Sequence, residues 1–400
     1  MALPGQAQEA ERLSLGGQVR HRTEFDARHF APGPDDVWFH LLRTRVHVRA
    51  RPADDVQLFV QVQDARVWGG EDPARARGTM DGRAPALDLH QAYFRLNDVL
   101  TPGLSVQVGR QELVYGNERL VGAVGWSNVG RTFDAAVLSY AAERGRLDAF
   151  AARLVGSTGT AQGQSLYGLY GTYPLAPNHH ADVLLLYDND TTPVEGGPDA
   201  GKDRLARLTG GVYLHGRPGR FDYEVEAYFQ TGKAPGGDGG RIDIRASLLS
   251  LAAGVRPDPE GRLRLGLLYT RLSGDDDPTD DRTETFNTLF ATNHKFYGFM
   301  DFFPGRLNPP AGLQDAAFRL GFAAAPRWHL SADVHHFAMA ADLPGKTTYG
   351  QEVDLTARHR YNDHVTLVGG ASAFFPGGVL TQTGQDDTAY WLYLMTVVTF

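Results

Sequence analysis

The sequence predicts an all-β fold, an 18-stranded antiparallel transmembrane β-barrel with short periplasmic turns and long extracellular loops. Three observations predict it. The last twelve residues, Ala389 to Phe400, alternate almost without a break and finish on an aromatic. About 18 stretches of period-2 alternation recur along the 400 residues. The connections between them are alternately short and long, the asymmetry of outer-membrane barrels.

Residues 13–26, 38–51 and 55–67 open the series. In 38–51, Leu42, Thr44, Val46, Val48 and Ala50 alternate with Arg43, Arg45, His47, Arg49 and Arg51. An arginine aimed at the hydrocarbon midplane costs about 2–4 kcal/mol, so this row must face a wet interior. In 13–26, Val19 and Phe25 oppose Gln18, Arg20, Arg22 and Glu24. In 55–67, Val56, Leu58, Val60 and Val62 oppose Gln57, Gln61 and Gln63. Strands are expected next at 87–97, 103–112, 131–141, 146–155, 165–174, 180–189 and 204–216. At 220–232 the polar row turns acidic, with Asp222, Glu224 and Glu226 against Phe221, Tyr223 and Val225. Strands at 241–256 and 262–273 follow, the second setting Arg262 and Arg264 against Leu263, Leu265 and Leu267. The series closes with 314–325, 327–340, 347–361, 364–375 and 388–400. In 347–361, Glu352, Asp354, Arg358 and Arg360 oppose Val353, Leu355 and Ala357.

Turn formers mark the short connections: Arg51-Pro52-Ala53-Asp54, Glu143-Arg144-Gly145, Gly216-Arg217-Pro218-Gly219, Ala325-Pro326 and Tyr361-Asn362-Asp363. The longer ones are 68–86, 113–130, 189–203 and about 274–313. An even count puts both termini on the periplasmic side. The last strand then pairs with 13–26 to seal the barrel, with Trp391 and Tyr393 on the lumen side near Arg20 and Arg22. Phe400 falls at the periplasmic rim, where outer-membrane assembly machinery could read it. Residues 13–400 are read as one domain, preceded by an N-terminal segment, 1–12. That segment has no basic n-region and no apolar core, so it does not read as a signal peptide.

Composition agrees. Glycine (47), phenylalanine (21) and tyrosine (16) suit tight turns and aromatic girdles. No stretch of about 18 apolar residues exists, which excludes a transmembrane helix. Cysteine is absent, removing disulfides and thiolate chemistry. The net charge of −8 argues against nucleic-acid binding.

Some lumen charges are expected to brace the wall by pairing. Adjacent arginine rows on neighbouring strands, however, repel one another unless an anion or carboxylate sits between them. Such a lining concentrates anions and grips carboxylates bidentately, and a barrel of this width leaves an aqueous channel.

Gly109-Arg110-Gln111-Glu112-Leu113-Val114-Tyr115-Gly116, Arg119-Leu120-Val121-Gly122 and Trp126 to Ala135 resemble the alginate-export family of outer-membrane proteins. Phe286 to Asp301 does as well. The resemblance implies an 18-stranded barrel with an arginine-rich constriction that passes a polyuronate outward. It offers Arg110, Arg131 and Asp134 as lumen residues.

No catalytic site is expected. His335 and His336 are adjacent in a strand and point to opposite faces. The run from Gly274 to Asp281 lacks the ligand spacing of a calcium loop, and reads as a solvated extracellular loop that could bridge divalent ions or lipopolysaccharide. The Gly116–Gly130 region lacks the Lys-Ser/Thr of a phosphate loop. No Ser–His pair with an oriented carboxylate stands out. No metal or cofactor is expected.

The expectation is therefore a non-enzymatic channel of the bacterial outer membrane for anionic solutes, foremost an acidic polysaccharide such as alginate. The alternatives are a porin for small acids or sugar acids, and a plugged structural or adhesive barrel. The pathway would comprise Arg20, Arg22, Arg43, Arg45, Arg49, Arg110, Arg131, Asp134 and Arg358. The long 274–313 segment, with Asp276, His294, Lys295 and Tyr297, is expected to gate the mouth, together with 113–130. Expected partners are membrane lipid, lipopolysaccharide, the assembly machinery and, for a polymer, periplasmic export proteins.

Overall fold

A computed structural model describes residues 12–31, 35–68, 87–153, 163–194, 197–236, 240–277, 279–307 and 309–400. The N-terminal segment apart from Arg12, nearly all of the 68–86 loop, and positions 154–155 of one expected strand lie outside the described residues.

Alternating sequence makes strands, and eighteen of them form the wall. They are β1 (Leu13–Ala27), β2 (Val37–Ala53), β3 (Val56–Trp68), β4 (Asp88–Leu96), β5 (Leu104–Gln111) and β6 (Phe133–Ala142). Next come β7 (Gly145–Arg153), β8 (Gln164–Ala176), β9 (His179–Pro193), β10 (Asp203–Gly216), β11 (Phe221–Pro235) and β12 (Arg241–Val255). The last six are β13 (Leu263–Leu272), β14 (Leu313–Ala325), β15 (Trp328–Ala338), β16 (Thr348–Arg360), β17 (Val365–Pro376) and β18 (Ala389–Thr399). Each pairs antiparallel with its sequence neighbour. A two-residue pairing of Arg282–Thr283 beside β12 is parallel and stands outside this wall. The expected strands are all present. The largest shift is at the end of β9, Pro193 against an expected 189.

β18 pairs β1 from Gln18↔Thr399 to Ala27↔Tyr390, which closes the barrel as the terminal alternation required. The ladder continues through Gly17 and Phe400, which exchange N–H···O bonds of 2.9 and 3.1 Å. Gly17 has a packing reason. A Cβ there would lie 2.6 Å from the Arg45 carbonyl oxygen, a backbone atom that cannot step aside, and 2.5 Å from the Phe400 ring. Gly17→Ala should therefore weaken the seam by about 1–3 kcal/mol. A lowered temperature for the loss of heat-modifiable gel mobility would register it; an unchanged temperature would contradict this account.

The two faces of the wall differ in kind. Leu58, Val60, Leu138, Leu185, Phe229, Leu267 and Leu394 are exposed on the outside, the band a hydrocarbon solvent would cover. Among the described residues no helix is long and apolar enough to cross a membrane. The buried apolar cluster lies within the barrel, where Tyr297, Met300, Phe302 and Phe303 meet Phe337, Phe374 and Trp391. These first four belong to a connection, so the core is made by loop against wall. The even-to-odd connections, such as 143–144 and 326–327, are tight turns. The odd-to-even ones include the long 112–132 and 273–312, and both of these turn inward.

Candidate functional site

Lumen charges hold both inward loops, arginines of β1 and β2 from one group of strands and carboxylates of β11 and β16 from another. In the basic group stand Arg20 and Arg22 of β1 with Arg43 and Arg45 of β2, all buried. Arg20 donates to the Gly125 carbonyl at 2.8 Å and to the Ser127 carbonyl at 2.9 Å. Arg43 reaches the same two oxygens at 3.2 and 3.0 Å. Arg22 takes the Trp126 carbonyl at 2.7 Å, and Arg45 the Val129 carbonyl at 3.2 Å. The mutual repulsion of neighbouring arginines is thus answered by a row of backbone carbonyls, with Glu24 and Glu112 as carboxylate partners of Arg22 and Arg45 at 2.7 and 3.3 Å. These four arginines act as struts for the 112–132 loop.

The acidic group does the complementary thing. Glu352 and Asp354 of β16 accept from the backbone N–H groups of Met300 (2.8 Å) and Phe299 (3.3 Å) in the 273–312 loop. Gly298, at φ +79°, brings the chain so close that a Cβ would sit 2.4 Å from Glu352 Oε1. On β11, Glu226 receives Arg119 of the other loop at 3.0 Å, and Gln230 exchanges bonds with the Asn287 backbone at 2.7 and 2.9 Å. Burial alone would pull the Arg119 guanidinium down, but Glu226 more than offsets it and holds it above its ordinary range.

The loops also join each other. Val121 and Phe290 form a parallel bridge, and Arg131 donates to the Phe290 and Ala291 carbonyls. Burial lowers Arg131 to about 10. Lys295 pairs with Glu118, and Tyr297 is fully buried beside Arg119, 5.5 Å from its guanidinium. His294 stacks on Trp126 at 4.3 Å, with Arg22 over the same indole at 4.0 Å and Phe299 beyond the imidazole at 5.3 Å. This row ties wall, first loop and second loop in one line.

Above it lies a cleft of about 710 Å³ lined by both signs of charge: Arg22, Arg28, Arg131 and Arg306 with Glu24, Asp26 and Asp301. Arg49 and Arg358 bond neither loop among the described residues. Arg49 lies over Phe59 at 5.5 Å, and Arg358 is an exposed inward residue of β16. Asp276 is exposed at the outer end of its loop. The neighbouring carboxylates cap their own turn, Asp277 accepting from the Thr279 N–H at 3.1 Å and Asp280 from the Arg282 N–H at 2.9 Å. No group of metal-ligating side chains occurs among the described residues.

Two sequence expectations need correction. Arg110 and Asp134 lie on the outer face of the wall. Strand parity decides it: Ser105, Gln107 and Gln111 of β5 face inward, so Arg110 shares the outer face with Val106 and Val108. The pair is bidentate, at 2.8 and 3.0 Å. Conversely, Glu112, Arg119, Trp126 and Gln230 hold the lumen together with Glu226 of the acidic row, and no local pattern assigns the first four that role. Glu112 directly follows β5, and only its contact with His90 (2.9 Å) and Arg45, distant in sequence, reveals its role.

Burial pushes the Glu112 carboxyl up, but His90 and Arg45 outweigh this and leave it below its ordinary value. A depressed carboxylate stabilises the fold above its unfolded pKa and loses that contribution as pH falls through the folded value. Glu112→Gln should therefore flatten the acid limb of a thermal-stability profile on the low-pH side of the ordinary carboxylate range. An unchanged acid limb would rule this anchor out.

The geometry defines a porin-like barrel with two loops folded into its lumen, and solved structures share the architecture. OccAB4 of Acinetobacter baumannii superposes with a TM-score of 0.66 at 11% identity, covering 100% of both chains. A BenF-like porin from Pseudomonas fluorescens Pf-5 gives 0.66 at 10%, covering 98% of this chain and 99% of that one. OccK3 (OpdO) of Pseudomonas aeruginosa gives 0.62 at 13%, covering 100% and 99%. At such identity the likeness is one of fold. No curated protein matches the sequence. The family model described as alginate export matches residues 11–393, and the chain belongs to that family.

Proposed function

We propose that the protein is a passive, non-enzymatic outer-membrane channel for small carboxylate-bearing solutes, sugar acids foremost. One observation carries this reading: both long loops are pinned inside the lumen by wall residues and bridged to each other. What they leave is a cleft of about 710 Å³, the size of a small-molecule site. Its arginines suit a carboxylate and its Asp26 and Asp301 suit hydroxyl groups. Arg49 and Arg358 would attract anions toward it from the turn side, the periplasmic side in this reading. Porin-like neighbours support a channel.

A second reading, a conduit for an acidic polysaccharide such as alginate, is favoured by the family. It requires the loops to swing out of the lumen. Planar-bilayer recording separates the two. Concentration-dependent block by galacturonate monomer, with no stronger block by oligomannuronate, is expected. Block by the oligomer alone would favour the conduit, and a barrel that never conducts would overturn both.

A further inference from the structure

The outward face departs from an even apolar band along β5 to β9. The outward residues of β6 and β7 there include Ala136, Ala149 and Ala151, flanked by Val106 on one side and by Tyr167 and Tyr187 on the other. Small residues between bulky ones leave a furrow of about 570 Å³. It continues toward the loop rim into a second hollow of about 480 Å³ that shares Ala136, Ala151 and Tyr167.

The upper hollow ends in charge. Arg110, Asp134 and Arg153 are cross-strand neighbours on β5, β6 and β7. Asp134 accepts both bonds from Arg110, whereas Arg153 donates to Ser165 Oγ at 3.1 Å and has no carboxylate partner among the described residues. Asp134 is taken up by Arg110, which leaves the Arg153 guanidinium facing outward at the end of an apolar furrow without an ion-pair partner among the described residues. At that height an arginine lies at the membrane interface, where a phosphate offers it a bidentate partner.

We propose that the furrow and its Arg110–Asp134–Arg153 head bind one lipopolysaccharide molecule of the outer leaflet. The sugar phosphate would take Arg153 and the free edge of Arg110, and an acyl chain would lie along Ala136, Ala149 and Ala151. The proposal needs the outer-membrane placement, but not the choice of transported solute. A phosphate and an adjoining chain match the two halves of the site, which a phospholipid with a shielded zwitterionic headgroup would fill less well.

Native mass spectrometry of the folded full-length barrel, titrated with diphosphoryl lipid A or with phosphatidylcholine, tests it. One lipid A should persist at collision energies that strip phosphatidylcholine. Arg153→Glu and Ala151→Phe should each weaken retention about tenfold. Arg245→Glu, at an exposed position of β12, should leave retention unchanged. Ala136→Phe fills the same furrow should Ala151→Phe fail to fold. Equal retention in all variants, equally firm phosphatidylcholine, or a dimer dispersed by Ala151→Phe would each overturn the proposal. Channel conductance is a separate readout, so failure here leaves the transport reading untouched.

Discussion

Deleting residues 276–300 should raise single-channel conductance severalfold. The deleted stretch contains Phe290, which bridges to Val121, and Lys295, which pairs with Glu118. It also contains His294, the link in the stacked row from Arg22 through Trp126 to Phe299. Without it the lumen keeps the loop held by the arginine struts and the Phe302–Phe303 stub, and an 18-stranded wall encloses an aqueous channel as its filling is removed. Unchanged conductance would mean that the open pathway lies elsewhere and that this loop gates nothing.

The second large effect separates two kinds of arginine. Arg43→Glu with Arg45→Glu removes one set of donors to the Gly125, Ser127 and Val129 carbonyls, leaving those from Arg20 and Gln63, and places carboxylates against these oxygens. Hydrogen bonds from charged groups contribute about 1.5–3 kcal/mol each, and the replacement is repulsive. The 112–132 loop should come loose, giving a larger, noisier conductance together with weaker anion preference. Arg49→Glu with Arg358→Glu touches neither loop and should shift only the reversal potential, toward cations. If both double variants change reversal potential alone, the struts carry no mechanical load. If Arg49→Glu with Arg358→Glu leaves the potential where it was, those residues lie off the ion path.

The wall was legible in the sequence because each strand reports its own two faces. The rows at 38–51 and 347–361 separate charge from apolar residues without help from any neighbour, and turn residues set the ends. Arg110 shows the cost of passing over that signal. Val106, Val108 and Arg110 alternate with Gln107 and Gln111, so parity alone places Arg110 outside; the family likeness suggested the lumen. What the inward arginines touch was hidden for another reason. Their partners are backbone carbonyls at 125–129, which any residues could supply. The pairing of Glu118 with Lys295 spans a distance in sequence that no local pattern encodes.

The β1–β18 seam bears on how the barrel forms. Its ladder joins residue 18 to residue 399, nearly the whole chain, whereas every other wall contact joins adjacent hairpins. Loop-closure entropy grows with the length enclosed, and folding slows as native contacts become more distant in sequence. Hairpin zippering should thus precede closure, leaving an intermediate curled sheet with β1 and β18 as two bare edges. Such edges template pairing with foreign strands. Closure, with Gly17 meeting Phe400, is the step at which this chain stops being an aggregation hazard.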